Sequence, residues 1–332
     1  PLGTGPYSLE EGIGGKHLQR VVNWWCKSEN LVAKDSSIAL VEAESPSQIR
    51  DEFEFSGLSV VCTNPQTDSY ADYRCDFELW EVDSGFMMYI GCNVTYSKFF
   101  DDGTLRTFLT YGIDRQTLVD DNYGGLALPT TLPISPMSPY YSKSLATNYD
   151  YDEMRFIDAA SKFRVPTNDK GVPRTLQLLV NSDDSARLRC ARNIAATLTE
   201  LGLACETVES PTSVYEARLQ AANYDIYLGI TKLPTTADLS EFYRPWGEMS
   251  WGGLANETIY NMVNQSLADR GNYYNLHKLV ADDGRIIPVM AGYYAIYAKR
   301  GVLSDLNPAR DNVFYYTLGK TMESSKVATQ FS

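Results

Sequence analysis

The sequence predicts an α/β fold, chiefly because two β-helix-β units follow one another in its second half. The first unit reads as a strand at 175–180, a helix at 185–201 and a strand at 203–209. Gly202 ends the helix. A second helix leads into an apolar strand at 224–229. Because connections of this length join parallel strands through a right-handed crossover, we expect a parallel sheet with helices packed on it.

Strand signals dominate the first part of the chain. Short β-branched or aromatic runs bounded by turn residues predict strands at 21–26, 37–43, 58–63, 75–82 and 85–93. Residues 45–57 predict a helix between two of them. Ser45 is its N-cap, Pro46 its first residue and Gly57 its terminator. The stretch GIGGKH at 12–17 lacks the full phosphate-loop pattern, so we expect a flexible turn there.

Two further segments lie in the middle of the chain. Asp101 or Asp102 caps a predicted helix, whose apolar residues at helical spacing are Leu105, Phe108, Leu109 and Ile113. The Pro-rich run at 126–141 holds four prolines between Pro129 and Pro139, a composition that excludes helix and central strand. We expect this run to lie extended over a surface.

The composition is that of an ordinary globular protein. Of 332 residues, 44% are hydrophobic and 21% are charged. The formal net charge is −13 and no basic run exceeds two residues, which argues against nucleic-acid binding. No stretch approaches the roughly 20 apolar residues of a membrane span. The 23 tyrosines and 5 tryptophans suit a ligand-binding cleft as well as a core.

The six cysteines are scattered without a close pair, which argues against a zinc or redox motif. An even number would allow disulfides in an oxidising compartment. Cys190 and Cys205 fall on core-facing positions of a predicted helix and strand, so we predict free, packed thiols.

The sequence holds no catalytic set that we would defend. There is no G-x-S-x-G pattern, and His17 and His277 lack a neighbouring His or Cys. We expect His277 to lie in a helix as an exposed or hydrogen-bonded side chain. The acidic pairs lie in turns or at helix ends, where solvated caps are common; they are Asp101/Asp102, Asp120/Asp121, Asp183/Asp184 and Asp282/Asp283. We predict no enzyme, no metal and no cofactor, with a carboxylate-dependent hydrolase as an alternative.

An ordered set of segments resembles one known family. The segments are GTGPY (3–7), LRTFLTYGIDRQTLVDD (105–121), YDYDEMRFIDAA (149–160), TLQLLVNSDD with IAATLTELGLACETVE (175–209), YEARLQAANYDIYLG (215–229) and DGRIIPVMAGYYAIYAKRG (283–301). In this order they are similar to the bacterial extracellular solute-binding proteins of peptide ABC transporters, the dipeptide- and oligopeptide-binding family 5. The resemblance spans nearly the whole chain. It implies a two-lobed α/β fold of the periplasmic-binding-protein type (type II).

The resemblance also implies a division into lobes. The G-T-G-P-Y turn lies well inside the family's polypeptide, so a lipoprotein signal, the start of lobe I and a small extra domain are expected to be missing. Residues 1–95 with 290–332 would belong to lobe I, and residues 96–289 would form lobe II. The ligand would lie between the lobes, whose closure presents the loaded protein to the permease.

The implied function is that of the extracytoplasmic substrate-binding component of an ABC importer, in the periplasm or on the outer face of the cell membrane. Its partners would be a peptide or other small polar ligand and the membrane subunits of an ABC permease. The full-length form would be a bacterial lipoprotein, anchored to the membrane by lipid. A ligand sensor or interaction module is an alternative, because one fold hosts several uses.

The stretch YRPWGEMSWGGLANETIY at 243–260 is the richest candidate for ligand contact. It follows the predicted strand at 224–229, and ligands of open α/β sheets bind beyond the carboxyl ends of strands. The predicted ligand-binding residues are Tyr243, Trp246, Trp251, Arg244, Lys232, Asp238 and Glu248. The two tryptophans would stack on the ligand or pack the loop against its lobe, and the pair Gly252–Gly253 would be flexible.

The charged candidates are matched to the end groups of a ligand. Arg244 or Lys232 would meet a carboxylate. Peptide binders of the family often carry an aspartate just after the strand equivalent to 224–229, where it pairs with the free amino group of the ligand. Here that place reads ITKLP, so Asp238 or Glu248 would take the role from a shifted loop. If neither does, a longer or modified peptide, a sugar or an opine-like ligand stays open.

Overall fold

The computed structural model describes residues 4–12, 14–26, 36–55, 57–65 and 73–301. The chain divides into two compact units. Unit 1 comprises Pro1–Asp83 with Tyr293–Ser332, so far as these residues are described, and unit 2 comprises Ser84–Gly292. Helices and strands alternate along the chain, which confirms the α/β fold class. The lobe boundaries expected near 95 and 290 stay a prediction.

Unit 1 opens with a small antiparallel sheet. Its strands, in sheet order, are β1 (Tyr7–Gly12), β2 (Gly15–Arg20) and β3 (Ser37–Ala39). Gly12 lies opposite Gly15, so residues 12–17 contain the turn of a hairpin, as expected. Every side chain of these strands is exposed or half-buried. The sheet therefore contributes little to a hydrophobic core.

The strand predicted at 21–26 is wrong. The indole N–H groups of Trp24 and Trp25 both donate to the carbonyl oxygen of Thr4, at 2.7 and 2.8 Å, and the segment forms turns. The strand predicted at 37–43 is confirmed only in part, as β3. Both differences have one cause: β-branched and aromatic residues favour a strand only where their side chains find neighbours on a sheet.

The core of unit 1 is small and aromatic. It is built on helix α1 (Pro46–Phe55) and strand β4 (Val60–Thr63). The helix begins as predicted, because the Ser45 hydroxyl accepts a hydrogen bond from the Gln48 N–H at 3.2 Å. Phe53 is fully buried and meets the ring of Tyr73, with centroids 4.6 Å apart. Strand β4 pairs antiparallel with residues 295–298.

Unit 2 holds the predicted parallel strands. The strands that it contains or shares with unit 1 are β5 (Phe77–Cys92), β6 (Leu128–Pro129), β7 (Leu176–Asn181), β8 (Cys205–Ser210), β9 (Ile226–Lys232) and β10 (Ile286–Lys299). Strand β7 pairs in parallel with β8 and β9, which confirms both β-helix-β units. Antiparallel pairs join β9 to β5 and β10 to β6. The strands predicted at 75–82 and 85–93 form a single strand, β5. Gly85 lies within this strand and takes φ +77.

Helices flank these strands. They are α2 (Thr104–Phe108), α3 (Arg115–Tyr123), α4 (Lys143–Ala146), α5 (Glu153–Lys162), α6 (Ser185–Glu200), α7 (Thr212–Gln220), α8 (Ser240–Tyr243), α9 (Glu257–Ala268) and α10 (Tyr273–Asp283). Helix α6 begins after its cap Asp184 and stops before Gly202, which takes φ +99. Of the side chains predicted to face the core, Leu188 is half-buried. The buried ones are Ala191, Ala195 and Leu198.

The helix predicted after Asp101 and Asp102 is shorter than expected. Asp102 accepts from the first N–H of α2 at 2.9 Å, but the chain then passes into a 3-10 turn at 109–112. A Cβ on Gly112 would lie 2.6 Å from the Phe156 ring, so this close approach requires glycine. The predicted apolar residues are all buried: Leu105, Phe108, Leu109 and Ile113.

The Pro-rich run is not helical, as predicted, but the expectation that it lies over a surface holds only for its second half, 136–141, which is half-buried or exposed. Residues 130–135 are buried. The hydroxyl of Thr130 donates to the Leu132 carbonyl, and that of Thr131 donates to the Ala146 carbonyl, each at 2.9 Å. Because proline lacks an N–H, such a run leaves few backbone donors to satisfy, and side-chain bonds help to make its burial tolerable.

The six cysteines are free thiols. Cys190 is fully buried, as its helix position predicted, and burial raises the pKa of its thiol to about 12. Cys205 is half-buried. None of the helices in the described part of the chain is long and apolar enough to span a membrane.

His277 lies in helix α10, as predicted, but its environment differs from the expectation. The side chain is 1% exposed, and among the described residues neither ring nitrogen has a hydrogen-bond partner. Its ring lies 5.6 Å from that of Tyr273, one helical turn away. The expectation of an exposed or hydrogen-bonded histidine is therefore wrong. Burial lowers the pKa of His277 to about 4, so the side chain is neutral at physiological pH.

Asp225 is a buried carboxylate that joins two segments of unit 2. It is 4% exposed and accepts from the Ser97 hydroxyl at 2.5 Å and from the Gln177 N–H at 3.0 Å. Asp225→Ala would leave both donors without this acceptor, so we expect the free energy of unfolding to fall by about 2 kcal/mol. Urea unfolding followed by circular dichroism measures the loss. Asp225→Asn keeps one acceptor oxygen and should lose less; equal stability of the alanine variant and the unaltered protein would contradict this role.

Candidate functional site

The candidate site lies at the carboxyl end of strand β9, where the chain continues into residues 233–253, called here the site loop. Because β7, β8 and β9 are parallel, their carboxyl ends lie toward the same edge of the sheet. Ligands of α/β sheets bind beyond such ends. The loop is attached to β9 through the Thr231 hydroxyl, which donates to the Met249 sulfur at 3.3 Å.

The structure shows a polar cluster at this edge that the sequence did not predict. The Asn181 amide donates to the Thr212 hydroxyl at 3.0 Å. The Thr212 hydroxyl and N–H in turn donate to the Asp183 carboxylate at 2.7 and 2.9 Å. The Thr212 backbone and side-chain bonds lower the pKa of Asp183. In the sequence this cluster is a polar turn after an apolar strand, which predicts a helix cap but not a link to the next helix.

Two of the predicted ligand contacts shape the loop itself. Asp238 accepts from the Ser240 N–H and hydroxyl, at 2.8 and 2.6 Å, where helix α8 begins. Arg244 forms a two-point ion pair with Glu241, at 3.0 and 2.8 Å. The hydrogen bonds of this pair raise the pKa of Arg244 and lower that of Glu241. The Glu248 N–H donates to the same Glu241 carboxylate at 2.9 Å, so the ion pair also fixes the backbone of the loop.

The other predicted contacts lie at different depths. Tyr243 is fully buried in the core of unit 2, and Trp251 is half-buried against the same core. Trp246, in contrast, is 95% exposed. Lys232, the last residue of β9, and Glu248 are also exposed. The outer surface of this region therefore presents Trp246, Lys232 and Glu248, whose contact with a ligand stays a prediction.

The glycine pair is held in place, so the expectation of a flexible pair is wrong. Gly252 and Gly253 take φ +58 and +86, in the left-handed region that favours glycine. A Cβ on Gly253 would lie 1.8 Å from the Thr95 hydroxyl oxygen. The Thr95 N–H donates to the Gly252 carbonyl at 3.2 Å, and Arg285 donates to the Gly253 carbonyl at 2.9 Å. This end of the site loop is docked tightly.

The acidic pair Asp282/Asp283 has structural partners. Asp283 forms ion pairs with Arg106 at 3.0 Å and with Arg285 at 3.1 Å. Asp282 accepts from the Tyr149 hydroxyl at 2.6 Å. Within the part of the chain that the structure describes, no three His, Cys, Asp or Glu side chains gather in a way that could hold a metal ion. These carboxylates therefore stabilise the fold of unit 2.

Unit 2 also contains an aromatic cleft of about 670 Å³ to which the site loop contributes no lining residue. It is lined by Tyr111, Thr147, Asn148, Tyr149, Asp150, Tyr151, Asp152, Arg155 and Asp282. The Arg155 guanidinium carbon lies 3.7 Å from the centre of the Tyr111 ring, so the cationic side chain of Arg155 covers that face of the ring. Sequence reasoning did not single out this cleft; the alternation of Tyr and Asp at 149–152 was the only signal.

Comparison with known proteins relates this geometry to one family. The family model of bacterial extracellular solute-binding proteins, family 5 Middle, matches residues 1–253. Among solved structures, AppA from Clostridium difficile superposes with a TM-score of 0.75 at 15% identity, covering 97% of this chain and 68% of that one. No protein of curated function matches the sequence.

Two further solved structures carry ligands. NikA from Brucella suis, in complex with Fe(III)-EDTA, superposes with a TM-score of 0.69 at 15% identity. The match covers 97% of this chain and 68% of the NikA chain. The oligopeptide-binding protein AppA from Bacillus subtilis, in complex with a nonapeptide, has a TM-score of 0.61 at 15% identity, with 96% and 66% covered. The present chain thus spans about two thirds of the length of these proteins, and at this identity the likeness concerns the fold.

Proposed function

This chain belongs to the bacterial extracellular solute-binding proteins of family 5, and from that premise we propose that it is the substrate-binding component of an ABC importer for peptides. The family consists of binding proteins that work outside the cytoplasm. The observation that carries the proposal is the match of the family model over residues 1–253, which includes the whole site loop. We propose further that the full-length protein is anchored by lipid and delivers its ligand to the permease subunits.

Peptides are proposed as the ligand class because a structural neighbour holds one. The Bacillus subtilis neighbour is an oligopeptide-binding protein with a bound nonapeptide. The neighbour NikA holds a metal chelate instead, so one fold accepts chemically different solutes. A ligand-binding screen distinguishes peptides from metal chelates.

Within unit 2 the site loop is proposed to contact the solute. Trp246 offers an aromatic face, while Lys232 and Glu248 offer charges of opposite sign near the same strand end. Arg244 and Asp238 support these contacts indirectly, since their bonds to Glu241 and Ser240 shape the loop. Tyr243 and Trp251 pack beneath the loop.

The carboxylates of unit 2 suit a protein that binds a ligand without catalysing a reaction. Asp183, bound to Thr212, has a lowered pKa and is therefore ionised at neutral pH, unlike a general acid. Asp283 lies between two arginines. These observations favour a binding protein over the carboxylate-dependent hydrolase.

A thermal-shift screen tests the ligand class. The protein would be heated with mixed peptides, free amino acids, sugars and Fe(III)-EDTA in turn. A peptide at a hundredfold excess over its dissociation constant should stabilise the folded state by about 2.7 kcal/mol, which raises the midpoint by several degrees. A shift with the chelate alone would contradict the peptide class but keep a solute-binding protein. The absence of any shift would contradict solute binding by this chain.

A further inference from the structure

Trp246 combines exposure with a strained backbone. Its 95% exposure is the highest among the large apolar side chains that the structure describes. Its φ of +61 lies in the left-handed region, which a bulky residue rarely adopts. Such strain persists only where the surroundings enforce it, and it concentrates at functional sites. The question is therefore what enforces it and what the exposed indole can bind.

The neighbouring residues enforce this conformation. The two-point pair of Arg244 with Glu241 fixes the chain just before Trp246, and the Gly247 N–H closes the turn by donating to the Arg244 carbonyl at 3.1 Å. The Met249 N–H donates to the Glu241 carbonyl at 3.1 Å. A Cβ on Gly247 would lie 2.2 Å from that carbonyl oxygen, so only glycine fits beside Trp246. The backbone that carries the indole is therefore fixed before any ligand arrives.

Three of the charges around this turn are already engaged. Arg244 and Glu241 neutralise each other, and Asp238 accepts two hydrogen bonds from Ser240. What remains at the tip of the turn is the flat face of the indole, together with the exposed Glu248 two residues on. A rigid, exposed indole interacts best with another flat apolar group, since aromatic pairs gain beyond the area that they bury.

Resting on the peptide-binding function proposed above, we propose that Trp246 is a specificity residue that stacks on an aromatic side chain of the bound peptide. The protein then prefers peptides that contain Phe, Tyr or Trp. The gain from one aromatic pair corresponds to an affinity ratio of about 2- to 12-fold over a peptide with an aliphatic side chain in that place.

A peptide-capture experiment tests the proposal. The immobilised protein is incubated with a tryptic digest of casein, washed and eluted, and mass spectrometry identifies the retained peptides. The unaltered protein should enrich peptides with aromatic residues by about 2- to 12-fold over their share in the digest. Trp246→Ala should retain peptides without this enrichment. Gly247→Ala should lose it too, although the indole is still present, because the turn that presents the indole is displaced.

Trp25→Ala is the matched control, because Trp25 is also largely exposed, at 70%, but lies in unit 1. It should keep the aromatic enrichment. Circular dichroism of each variant shows that the fold is retained, and Trp246→Ala alone decides the matter if Gly247→Ala does not fold. Retention of peptides without aromatic enrichment, or enrichment that survives Trp246→Ala, would overturn the inference but leave the peptide-binding function. Retention of no peptide by the unaltered protein would overturn both.

Discussion

Gly253→Ala is expected to lower the free energy of unfolding by about 3 kcal/mol. The added methyl group would lie 1.8 Å from the Thr95 hydroxyl oxygen, closer than any non-bonded contact allows. The residue also takes φ +86, where an L-amino acid is strained. Overpacking costs about 1–3 kcal/mol and the left-handed backbone about 1–2 kcal/mol. Urea unfolding monitored by circular dichroism measures the sum.

Gly124→Ala separates the two contributions. Gly124 also lies in unit 2 and takes φ +57, but a Cβ there would have no neighbour within 4 Å. This variant should lose only the backbone term, about 1–2 kcal/mol. If both variants lost the same amount, the close packing of Gly253 against Thr95 would be disproved. The site loop would then not be docked as tightly as described.

The free energy of unfolding is expected to fall by about 3 kcal/mol as the pH is lowered from about 6.5 to about 4, through His277 alone. Burial lowers the pKa of this side chain from 6.5 to about 4. Between these values the unfolded chain binds a proton that the folded chain excludes, so acid favours unfolding. The contribution is complete above pH 6.5 and lost below pH 4. Each pKa unit corresponds to about 1.4 kcal/mol.

His277→Leu provides the control for this pH dependence. Leucine fills much of the same space and does not titrate, so the carboxylates remain the main source of pH dependence in the variant. The stability difference between the two proteins should be constant above pH 6.5 and shift in favour of the variant as the pH falls toward 4. Urea unfolding at a series of pH values measures it. Parallel curves over the whole range would show that His277 has the same pKa in the folded and the unfolded chain, as an exposed side chain would.

Much of the fold could be predicted because it depends on neighbours in sequence. The apolar periodicity of 175–229 predicts both β-helix-β units, and the parallel ladders confirm them. Capping residues such as Ser45 and Asp184 accept the hydrogen bonds that their positions predict, whereas the N-cap of α2 is Gly103 and not Asp101 or Asp102. A cap or a periodic face is decided within a few residues, so it is visible in the sequence.

Less of the candidate site could be predicted. Its position after β9 follows from the strand pattern and the family resemblance. The roles of its charges do not, because Arg244 and Asp238, read as ligand contacts, bond within the loop to Glu241 and Ser240. Glu241 and Arg244 pair at the end of helix α8, and a helix of four residues is too short to leave a periodic signal in the sequence.

The sequence by itself determined the α/β class, the parallel strand pairs and the starts of helices α1 and α6, and it indicated the region of the candidate site. Only the tertiary structure decided that residues 130–135 of the Pro-rich run are buried, that Gly253 packs against Thr95 and that His277 has no hydrogen-bond partner among the described residues. It also decided that Trp246 faces outward on a strained turn. The physical reason is the distance along the sequence between the residues that interact. Periodicity and capping act between neighbours along the chain, whereas burial and close packing depend on residues that only folding brings together.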